Sequence, residues 1–446
     1  MAPALLSTAL REQHVVILGG AYAGLSTALN LLRICDGTIA QYGKGGRGGG
    51  RSGGRGGGRG GGGGGGRGGF GGQKMELPHA PRNMPKITIL DPRDGFYHTV
   101  GTPMAHTSRD FIPKPWRTWE EIPELKRESV SILKGAAVKV DPEAKSLLYV
   151  SGESEGLQQK SLDYDYLVVA TGLRRPWPTV PAATTKSEYS AQAQRYIDHL
   201  QQCKSIVVIG GGAVGIEMAA EIKHRHPTKE VTLVHSRSEL LSSEPLPSEF
   251  REQVNRIVEG GGVTVILENR VINVTEESGP SKIVTLQNGH QIAADEVIWA
   301  TSSAAPITEF LPKESLDERG FVETLPSTHF ARNIPNSDSH FAVGDVIATP
   351  GIRLAAGAVR MGKIAAASIA HMIVAGESGH GLPDAQSMPQ SKGPNSGIKL
   401  VIGASGAVYD GKTGDMMWGP EVKQRVFGDD MALHRALGSL GLPLDA

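Results

Sequence analysis

The segment Ser205-Ile206-Val207-Val208-Ile209-Gly210-Gly211-Gly212-Ala213-Val214-Gly215 joins a short β-branched run to a G-x-G-x-x-G turn. The helix-forming residues 216–222 follow directly. In such a turn the first glycine permits the sharp bend, the second lets the backbone approach a pyrophosphate, and the third lets the helix pack on the strand. The free N–H groups at the helix start then face the phosphates. The segment therefore predicts a strand–turn–helix unit that binds a dinucleotide.

A second copy of this pattern lies near the N-terminus, where the apolar residues 15–18 lead into Gly19-Gly20-Ala21-Tyr22-Ala23-Gly24. Ala21 replaces the middle glycine and adds a methyl group where a pyrophosphate should approach, which puts the pyrophosphate geometry in question. Two such turns in one chain predict two cofactors that must meet. We therefore expect an α/β protein with two Rossmann-like dinucleotide-binding domains, followed by a small C-terminal α+β domain.

The composition indicates a soluble globular protein of two or three domains, with 446 residues, 39% hydrophobic and 21% charged. Lysine plus arginine and aspartate plus glutamate both number 46, so no net charge draws the chain to nucleic acid or membranes. Cys35 and Cys203 form neither a C-x-x-C pair nor a metal-ligand spacing. We expect two reduced thiols, no metal site and no redox-active disulfide.

The sequence also carries expectations about location. No apolar stretch approaches the ~18 residues of a membrane span, so no transmembrane segment is expected. The N-terminal apolar run is too short for a secretory signal, and Ala2 stands where myristoylation needs glycine. We expect a cytoplasmic protein. A weak mitochondrial presequence around Arg11, association with mitochondrial or lipid surfaces and peripheral membrane contact stay open, and the oligomeric state is not predicted.

Residues 43–72 form a glycine–arginine tract in which 22 of 30 residues are glycine. This composition predicts disorder, because it offers little to bury against its backbone entropy. The tract connects the first helix to the next strand, at the sheet edge opposite a ligand crevice. Three interpretations stay open: a passive linker, an RGG-like element for single-stranded nucleic acid, and an inaccurately translated gene segment. A single aromatic residue, Phe70, disfavours the nucleic-acid interpretation.

Further candidate residues follow predicted strands. Asp91 ends the strand at 87–90 as the acidic tip that holds an adenosine ribose, although Asp91-Pro-Arg-Asp-Gly95 is also a good turn. Val138 lies on a short strand and is placed to offer its backbone to an adenine. Thr171 and Gly172 form a small turn after a buried strand, and Asp345 ends another strand with a Gly-Asp pair.

The order of these motifs resembles that of flavoproteins with two dinucleotide-binding domains, which include type II NADH dehydrogenases and apoptosis-inducing factors. Residues 89–98, 171–177, 234–237 and 240–247 are similar to the fungal branch of the AMID-type apoptosis-inducing factors, relatives of ferroptosis suppressor proteins. The likeness covers nearly everything except roughly residues 36–85 and the segment 376–395. Met104 departs from it, since animal members carry an arginine there, and this puts an arginine-dependent FAD contact in doubt.

The resemblance implies FAD and NAD(P)H as cofactors. It implies an FAD domain built from 1–190 and 296–372, an NAD(P)H domain at 191–295 and a C-terminal domain at 373–446. The implied FAD-binding residues are Gly19, Gly20, Ala21, Gly24, Asp91, Val138, Thr171, Gly172 and Asp345. The implied NAD(P)H-binding residues are Gly210, Gly212, Gly215 and Glu217, with Glu217 in a catalytic role.

The end of the strand at 231–234 bears on the choice between NADPH and NADH. It continues into His235-Ser236-Arg237 and not into an acid. A carboxylate there would repel a 2′-phosphate, whereas arginine accommodates one. NADPH should therefore be accepted, alongside NADH or in preference to it. An exposed His/Arg pair with no ligand is the alternative.

Near the C-terminus, Arg353 precedes a helix rich in small residues at 354–362. Such a helix is expected to approach the flavin pyrimidine, and Arg353 to stabilise the negative charge of the reduced ring, unless it is a plain surface arginine. The apolar stripe at 433, 436, 437 and 440 indicates packed core or a dimer contact. The expected reaction is hydride transfer from NAD(P)H to flavin, with electrons passed on to a quinone or another small acceptor. The alternative is an RNA-binding or signalling protein with a flavoprotein core.

Overall fold

Two parallel β-sheets, each carrying one of the glycine turns, organise the protein in this computed structural model. The structure describes residues 12–38, 41–42, 75–152, 158–276, 281–301, 305–331, 334–379, 381, 383–384, 387–391, 393 and 395–444.

The strands of the first half are β1 (His14–Leu18), β2 (Gln41–Tyr42), β3 (Met75–Glu76), β4 (Lys86–Asp91), β5 (Gly95–Tyr97), β6 (Trp116–Thr118), β7 (Val130–Lys134), β8 (Ala136–Asp141), β9 (Ser146–Ser151), β10 (Gln158–Asp163), β11 (Tyr166–Val169) and β12 (Leu173–Arg174). Those of the second half are β13 (Ser205–Ile209), β14 (Glu230–Val234), β15 (Thr264–Ile266), β16 (Val271–Glu276), β17 (Lys282–Leu286), β18 (Gln291–Ala294), β19 (Glu296–Trp299), β20 (Ala305–Pro306), β21 (His340–Ala342), β22 (Ile398–Ile402), β23 (Ser405–Tyr409) and β24 (Met416–Gly419). The α-helices are α1 (Tyr22–Cys35), α2 (Thr102–Ala105), α3 (Lys186–Gln202), α4 (Ala213–Arg225), α5 (Ser248–Gly260), α6 (Ala355–Glu377), α7 (Pro420–Phe427) and α8 (Leu433–Leu440).

The first sheet has the strand order β21-β11-β1-β4-β7, and its pairings are all parallel. Its central strand β1 is completely buried from Val15 onward, which explains the unbroken apolar run. Strand β21 joins from far along the chain, so the second sheet is inserted within the first domain. Helix α3 already begins at Lys186, before the expected start of the inserted domain at 191.

The second sheet has the order β15-β14-β13-β19 and is also parallel. The antiparallel sheet β16-β17-β18 packs beside it, because Val284 and Leu286 share a buried cluster with Val207, Ile209 and Val234. A corresponding antiparallel sheet, β10-β9-β8, accompanies the first domain. The predicted α/β class with two Rossmann-like domains is confirmed.

The C-terminal part combines the antiparallel sheet β22-β23-β24 with α7 and α8, which is the expected α+β composition. Leu400 and Ala407 of this sheet pack into the core of the second domain. Leu433, Leu437 and Leu440 of α8 pack into the core that surrounds α1 and α6. The apolar stripe near the C-terminus is therefore packed core.

Helix α6 corrects the expectation that no apolar stretch has the length of a membrane span. It has 23 residues, and an 18-residue window within it has a mean hydropathy of 1.3, which is enough to cross a membrane by length and composition. However, 72% of that window is buried inside the fold. The helix packs along α1, where Ser26 Oγ donates to the Val359 carbonyl over 2.8 Å. These contacts are those of a core helix.

Two short described strands flank the glycine–arginine tract and pair with each other. Strands β2 and β3 pair antiparallel, with Gln41 opposite Glu76 and Tyr42 opposite Met75. The tract itself, and with it the prediction of disorder, lies outside the described residues. Helix α1 separates this hairpin from the first glycine turn by 14 residues, or about 21 Å of helix. The tract is thus joined at the end of α1 that is remote from the turn.

We predict that deleting residues 43–72 leaves the flavin content of the purified protein within about twofold of wild type, because the ends of the tract are already held together by β2 and β3. The measurement is flavin absorbance per protein. Loss of bound flavin in the deletion variant, with the Tm otherwise unchanged, would mean that the tract contributes to the first domain.

Candidate dinucleotide sites

The first and third glycines of both turns meet the same steric requirement. Gly19 and Gly210 have φ values of +96° and +121°, and a Cβ atom on them would lie 2.6 and 2.5 Å from the carbonyl oxygens of Ala170 and Ala300. A Cβ on the third glycine would lie 1.8 Å from the carbonyl oxygen of the first glycine in both turns. Only glycine fits at these four positions, so both helices begin directly above their strands.

The middle positions of the two turns differ by one methyl group. A Cβ on Gly212 would meet nothing within 4 Å, so this position faces the open space that a pyrophosphate needs. Ala21 has the same extended conformation, with φ −76° and ψ −160° against −81° and 178° for Gly212. The alanine therefore adopts the turn without strain. Its methyl group occupies the equivalent open side, and a cofactor must clear it.

The second residue of each turn donates its backbone N–H group to a side chain at the end of the adjacent strand. Gly20 N–H donates to Asp91 Oδ2 over 2.6 Å, and Gly211 N–H donates to His235 Nδ1 over 3.1 Å. Asp91 also accepts a bond from Arg93 N–H. Burial raises the pKa of the Asp91 carboxyl, and these two N–H donors oppose the shift. The structure thus places Asp91 beside the first glycine turn, and its contact with an adenosine ribose stays a prediction.

His235 has a different position from the one expected of a phosphate ligand. Its Nδ1 accepts from Gly211, so Nε2 carries the proton and donates to Ser242 Oγ over 3.0 Å. Burial, with the charge of Arg237 second, lowers the pKa of His235. Both ring nitrogens are engaged within the protein, so His235 supports the turn and has no ring nitrogen free for a 2′-phosphate. Arg237 is exposed at the same strand end.

Val138 and the Thr171–Gly172 turn lie in irregular backbone of the first domain. In the ladder between β8 and β9 the register shifts between Ala137 and Lys139, which makes Val138 the extra residue of a β-bulge. Such a residue is left out of strand pairing. Thr171 Oγ1 donates to the Ile307 carbonyl over 2.6 Å, and a Cβ on Gly172 would meet nothing within 4 Å. The Thr171 hydroxyl group thus fixes one side of this turn, and the side that Gly172 faces is open.

Asp345 lies next to the start of α1. Gly344 has a φ of +83°, and a Cβ on it would lie 3.1 Å from the Ala23 side chain. Burial raises the pKa of the Asp345 carboxyl, while Arg175 and Arg353 oppose that shift. The Arg175 guanidinium lies 4.0 Å from Asp345 Oδ2. The Gly-Asp turn and the first glycine turn therefore form one contiguous surface.

Arg353 is half-buried, which excludes the plain surface arginine. Its Nε donates to the Asp345 carbonyl over 3.2 Å and its Nη2 to the Ile347 carbonyl over 3.3 Å. The small residues of α6 also allow close packing between helices, while the expected approach of the start of α6 to a flavin stays a prediction. A Cβ on Gly362 would lie 2.4 Å from the Ala23 carbonyl oxygen, so glycine there lets α6 pack tightly on α1.

Glu217, in the first turns of α4, receives a bond from the C-terminal part of the chain. Val401 N–H, in β22, donates to Glu217 Oε1 over 3.1 Å. Burial raises the pKa of Glu217 to about 8. The carboxyl group is therefore mostly protonated at neutral pH. No local pattern pointed to Val401, because its contribution is a backbone N–H group 184 residues along the chain.

The remaining polar chemistry is limited. Both cysteines are free, and burial raises the pKa of Cys35 to about 12 and of Cys203 to about 11. Thiolate is the reactive form, so neither is suited to disulfide exchange. Met104 is buried in an apolar cluster with Tyr97 and Phe111. Within the described ranges, no group of three or more His, Cys, Asp or Glu side chains could hold a metal ion.

Two glycine-turn sheets, of which the first is completed by a Gly-Asp turn, define a flavoprotein that binds two dinucleotides. A family model, the pyridine nucleotide-disulphide oxidoreductases, matches residues 13–362, and the chain belongs to this family. It is 34% identical over 433 residues to Oxidoreductase OXR1 of Ajellomyces capsulatus, covering 95% of this chain and 87% of that protein. It is 28% identical over 346 residues to human Ferroptosis suppressor protein 1, covering 75% and 87%. The resemblance to this branch is confirmed.

Solved structures show the same fold. NDH2 of Plasmodium falciparum, determined in complex with NADH, has a TM-score of 0.63 with 12% identity and covers 97% of both chains. A NAD-dependent persulfide reductase of A. fulgidus has a TM-score of 0.63 with 18% identity, covering 89% of this chain and 63% of its own. The protein is an oxidoreductase with FAD and NAD(P)H as cofactors. The open faces of Gly172 and Gly212 fit such groups. The individual contact residues stay predictions.

The raised pKa of Glu217 predicts a pH-dependent stability. Between its ordinary value of 4.5 and about 8 the unfolded chain releases this proton and the folded chain keeps it, so the free energy of unfolding falls as the pH rises. Glu217→Gln has no such proton. The Tm of this variant relative to wild type should therefore be higher at about pH 8 than at about pH 5. Glu318→Gln, on an exposed turn, corrects for the general change from carboxyl to amide. An equal Tm difference at both pH values would contradict the assignment.

Proposed function

We propose that the protein transfers a hydride from NAD(P)H to bound FAD and passes the electrons on to a quinone. The observation that carries the proposal is the presence of two glycine turns on two sheets, with Asp345 against the first turn and Glu217 beside the second. Helix α2 of the first domain also packs against α4 of the second. The two domains that carry the dinucleotide sites are therefore in contact.

The chain's own residues provide position and charge. The first sheet, Asp91 and Asp345 would hold FAD, which supplies a two-electron acceptor when bound. Arg353 places a positive charge beside Asp345, where it favours negative charge on a neighbouring ring. Glu217, with its pKa near 8, presents a neutral carboxyl group that can donate a hydrogen bond through Oε2 while Oε1 accepts from Val401. A neutral group there avoids repulsion of an electron-rich donor.

Two observations support a quinone as the electron acceptor. The two free cysteines, both with raised pKa values, form no dithiol that could carry electrons onward. Human Ferroptosis suppressor protein 1 and an NADH-binding NDH2 also match this chain across most of its length. A small diffusible acceptor that meets the flavin directly is consistent with both.

The test is an anaerobic half-reaction followed at the flavin absorbance. We expect NADPH or NADH to bleach the flavin of the purified protein and a short-chain quinone to restore it faster than oxidised glutathione does. Failure of both nucleotides to bleach the flavin would overturn the hydride step. Bleaching followed by restoration with the disulfide alone would overturn the quinone assignment.

The exposed Arg237 predicts nucleotide selectivity. In Arg237→Glu a carboxylate would face the 2′-phosphate of NADPH but could still accept a bond from the 2′-hydroxyl of NADH. Loss of a charge-assisted contact costs about 1.5–3 kcal/mol, or about tenfold to a hundredfold in affinity. We expect the ratio of kcat/KM for NADPH to that for NADH to fall by at least about tenfold.

The matched control is Arg195→Glu, the same charge change on an exposed position of α3. It should leave the ratio unchanged. A ratio that moves by less than about threefold in Arg237→Glu, or equally in both variants, would mean that another residue sets the preference.

A further inference from the structure

An aromatic ring that no motif indicated lies against Arg353. The Phe321 ring centroid is 4.5 Å from the Arg353 guanidinium carbon and 5.3 Å from that of Arg319. Phe321 is 9% exposed, so the ring side of this contact is buried, while Arg353 is half-buried. Arg319 is different, since its side chain is 72% exposed and pairs with Asp317 over 3.3 Å. A guanidinium within about 6 Å of a ring centroid is attracted to the ring face.

The other restraints on Arg353 are weak. Its bonds to the Asp345 and Ile347 carbonyls are 3.2 and 3.3 Å long, at the far end of the normal range. They use two of the five N–H donors of a guanidinium. A long side chain held by two such bonds keeps much of its rotamer freedom. The Phe321 ring face is thus a third contact that restrains the Arg353 guanidinium.

The charges around Arg353 make its exact position matter. Arg175 lies 4.0 Å from the Asp345 carboxylate, and the Glu244 carboxylate also interacts with Arg353. The cluster contains three acidic side chains and three basic ones, so it has no large excess of either sign of charge. The acidic residues are Asp345, Asp317 and Glu244, and the basic residues are Arg175, Arg319 and Arg353. If the Arg353 guanidinium moved away, the remaining charges of the cluster would not supply the same positive potential at its place. Its effect on a neighbouring ligand depends on where it is held.

We propose that Phe321 is the positioning residue for Arg353. Its ring holds the guanidinium beside Asp345, so that the positive charge stabilises the flavin in its reduced, negatively charged form. The inference rests on the proposed function, because it assigns a purpose to the Arg353 charge. Phe321 itself touches neither reacting group, and its contribution is the geometry of another side chain.

The test uses the flavin-loaded full chain and a property other than turnover. Sulfite adds to the oxidised flavin ring and leaves a negative charge on it, so the strength of the adduct reports positive charge nearby. We expect Phe321→Leu to bind sulfite about tenfold more weakly than wild type, equivalent to about 30 mV for a two-electron couple. The midpoint potential should fall by a similar amount. The kcat should fall while the KM for the nucleotide stays within about twofold.

Two matched variants separate this role from general packing. Phe321→Tyr keeps the ring face and should restore the wild-type sulfite affinity. Arg319→Gln removes the exposed guanidinium and should leave it within about twofold of wild type. Phe321→Met is the second non-aromatic variant if Phe321→Leu does not fold. Equal sulfite affinities in the aromatic and non-aromatic variants would overturn the inference while leaving hydride transfer intact. A wild-type protein whose flavin no nucleotide reduces would overturn the proposed function and this inference with it.

Discussion

The contact between the third glycine of each turn and the carbonyl of the first is the constraint on which the rest of the architecture depends. A side chain on Gly24 or Gly215 would lie 1.8 Å from that oxygen, a distance that no repacking could relieve. Because both positions are glycine, each helix starts directly above its strand, and its free N–H groups face the carboxyl edge of the sheet. The adjacent strand tips, Asp91 and His235, then lie close enough to bond to the turns from behind.

The same backbone arrangement is completed with different chemistry in the two halves. Asp91 brings a carboxylate to the first turn, which suits a ribose with two free hydroxyl groups. His235 brings a neutral imidazole to the second, where burial and Arg237 both disfavour its protonation. A carboxylate there would support the glycine turn equally well and would repel a 2′-phosphate. Both the Asp91 carboxylate and the His235 imidazole accept the hydrogen bond that supports the glycine turn, but only the carboxylate places a negative charge beside it.

Features carried by contiguous residues could be predicted from the sequence, and features made by distant groups could not. The two strand–turn–helix units, the acidic tip at Asp91 and the packed C-terminal helix each follow from local spacing and periodicity. The partner of Glu217 is a backbone N–H group, which any residue at 401 would provide, so its identity carries no signal. The ring beneath Arg353 lies at 321, outside every motif. The apolar length of α6 was underestimated from the sequence because Arg360 and Lys363 interrupt its apolar run. In the structure, both residues lie on the same helix as the buried residues around them.

The return of β21 to the first sheet has a consequence for how the chain is made. Strand β11 ends at Val169 and its neighbour β21 begins at His340, about 170 residues later. During synthesis at about 5–20 residues per second, the strands of the second sheet emerge from the ribosome before the first sheet can be completed. The nucleotide-binding insert can therefore fold first, while the sheet of β1, β4 and β11 still lacks β21 and the outer edge of β11 stays unpaired. Exposed edges of this kind invite aggregation, so the yield of folded protein should depend on how rapidly the segment around β21 follows.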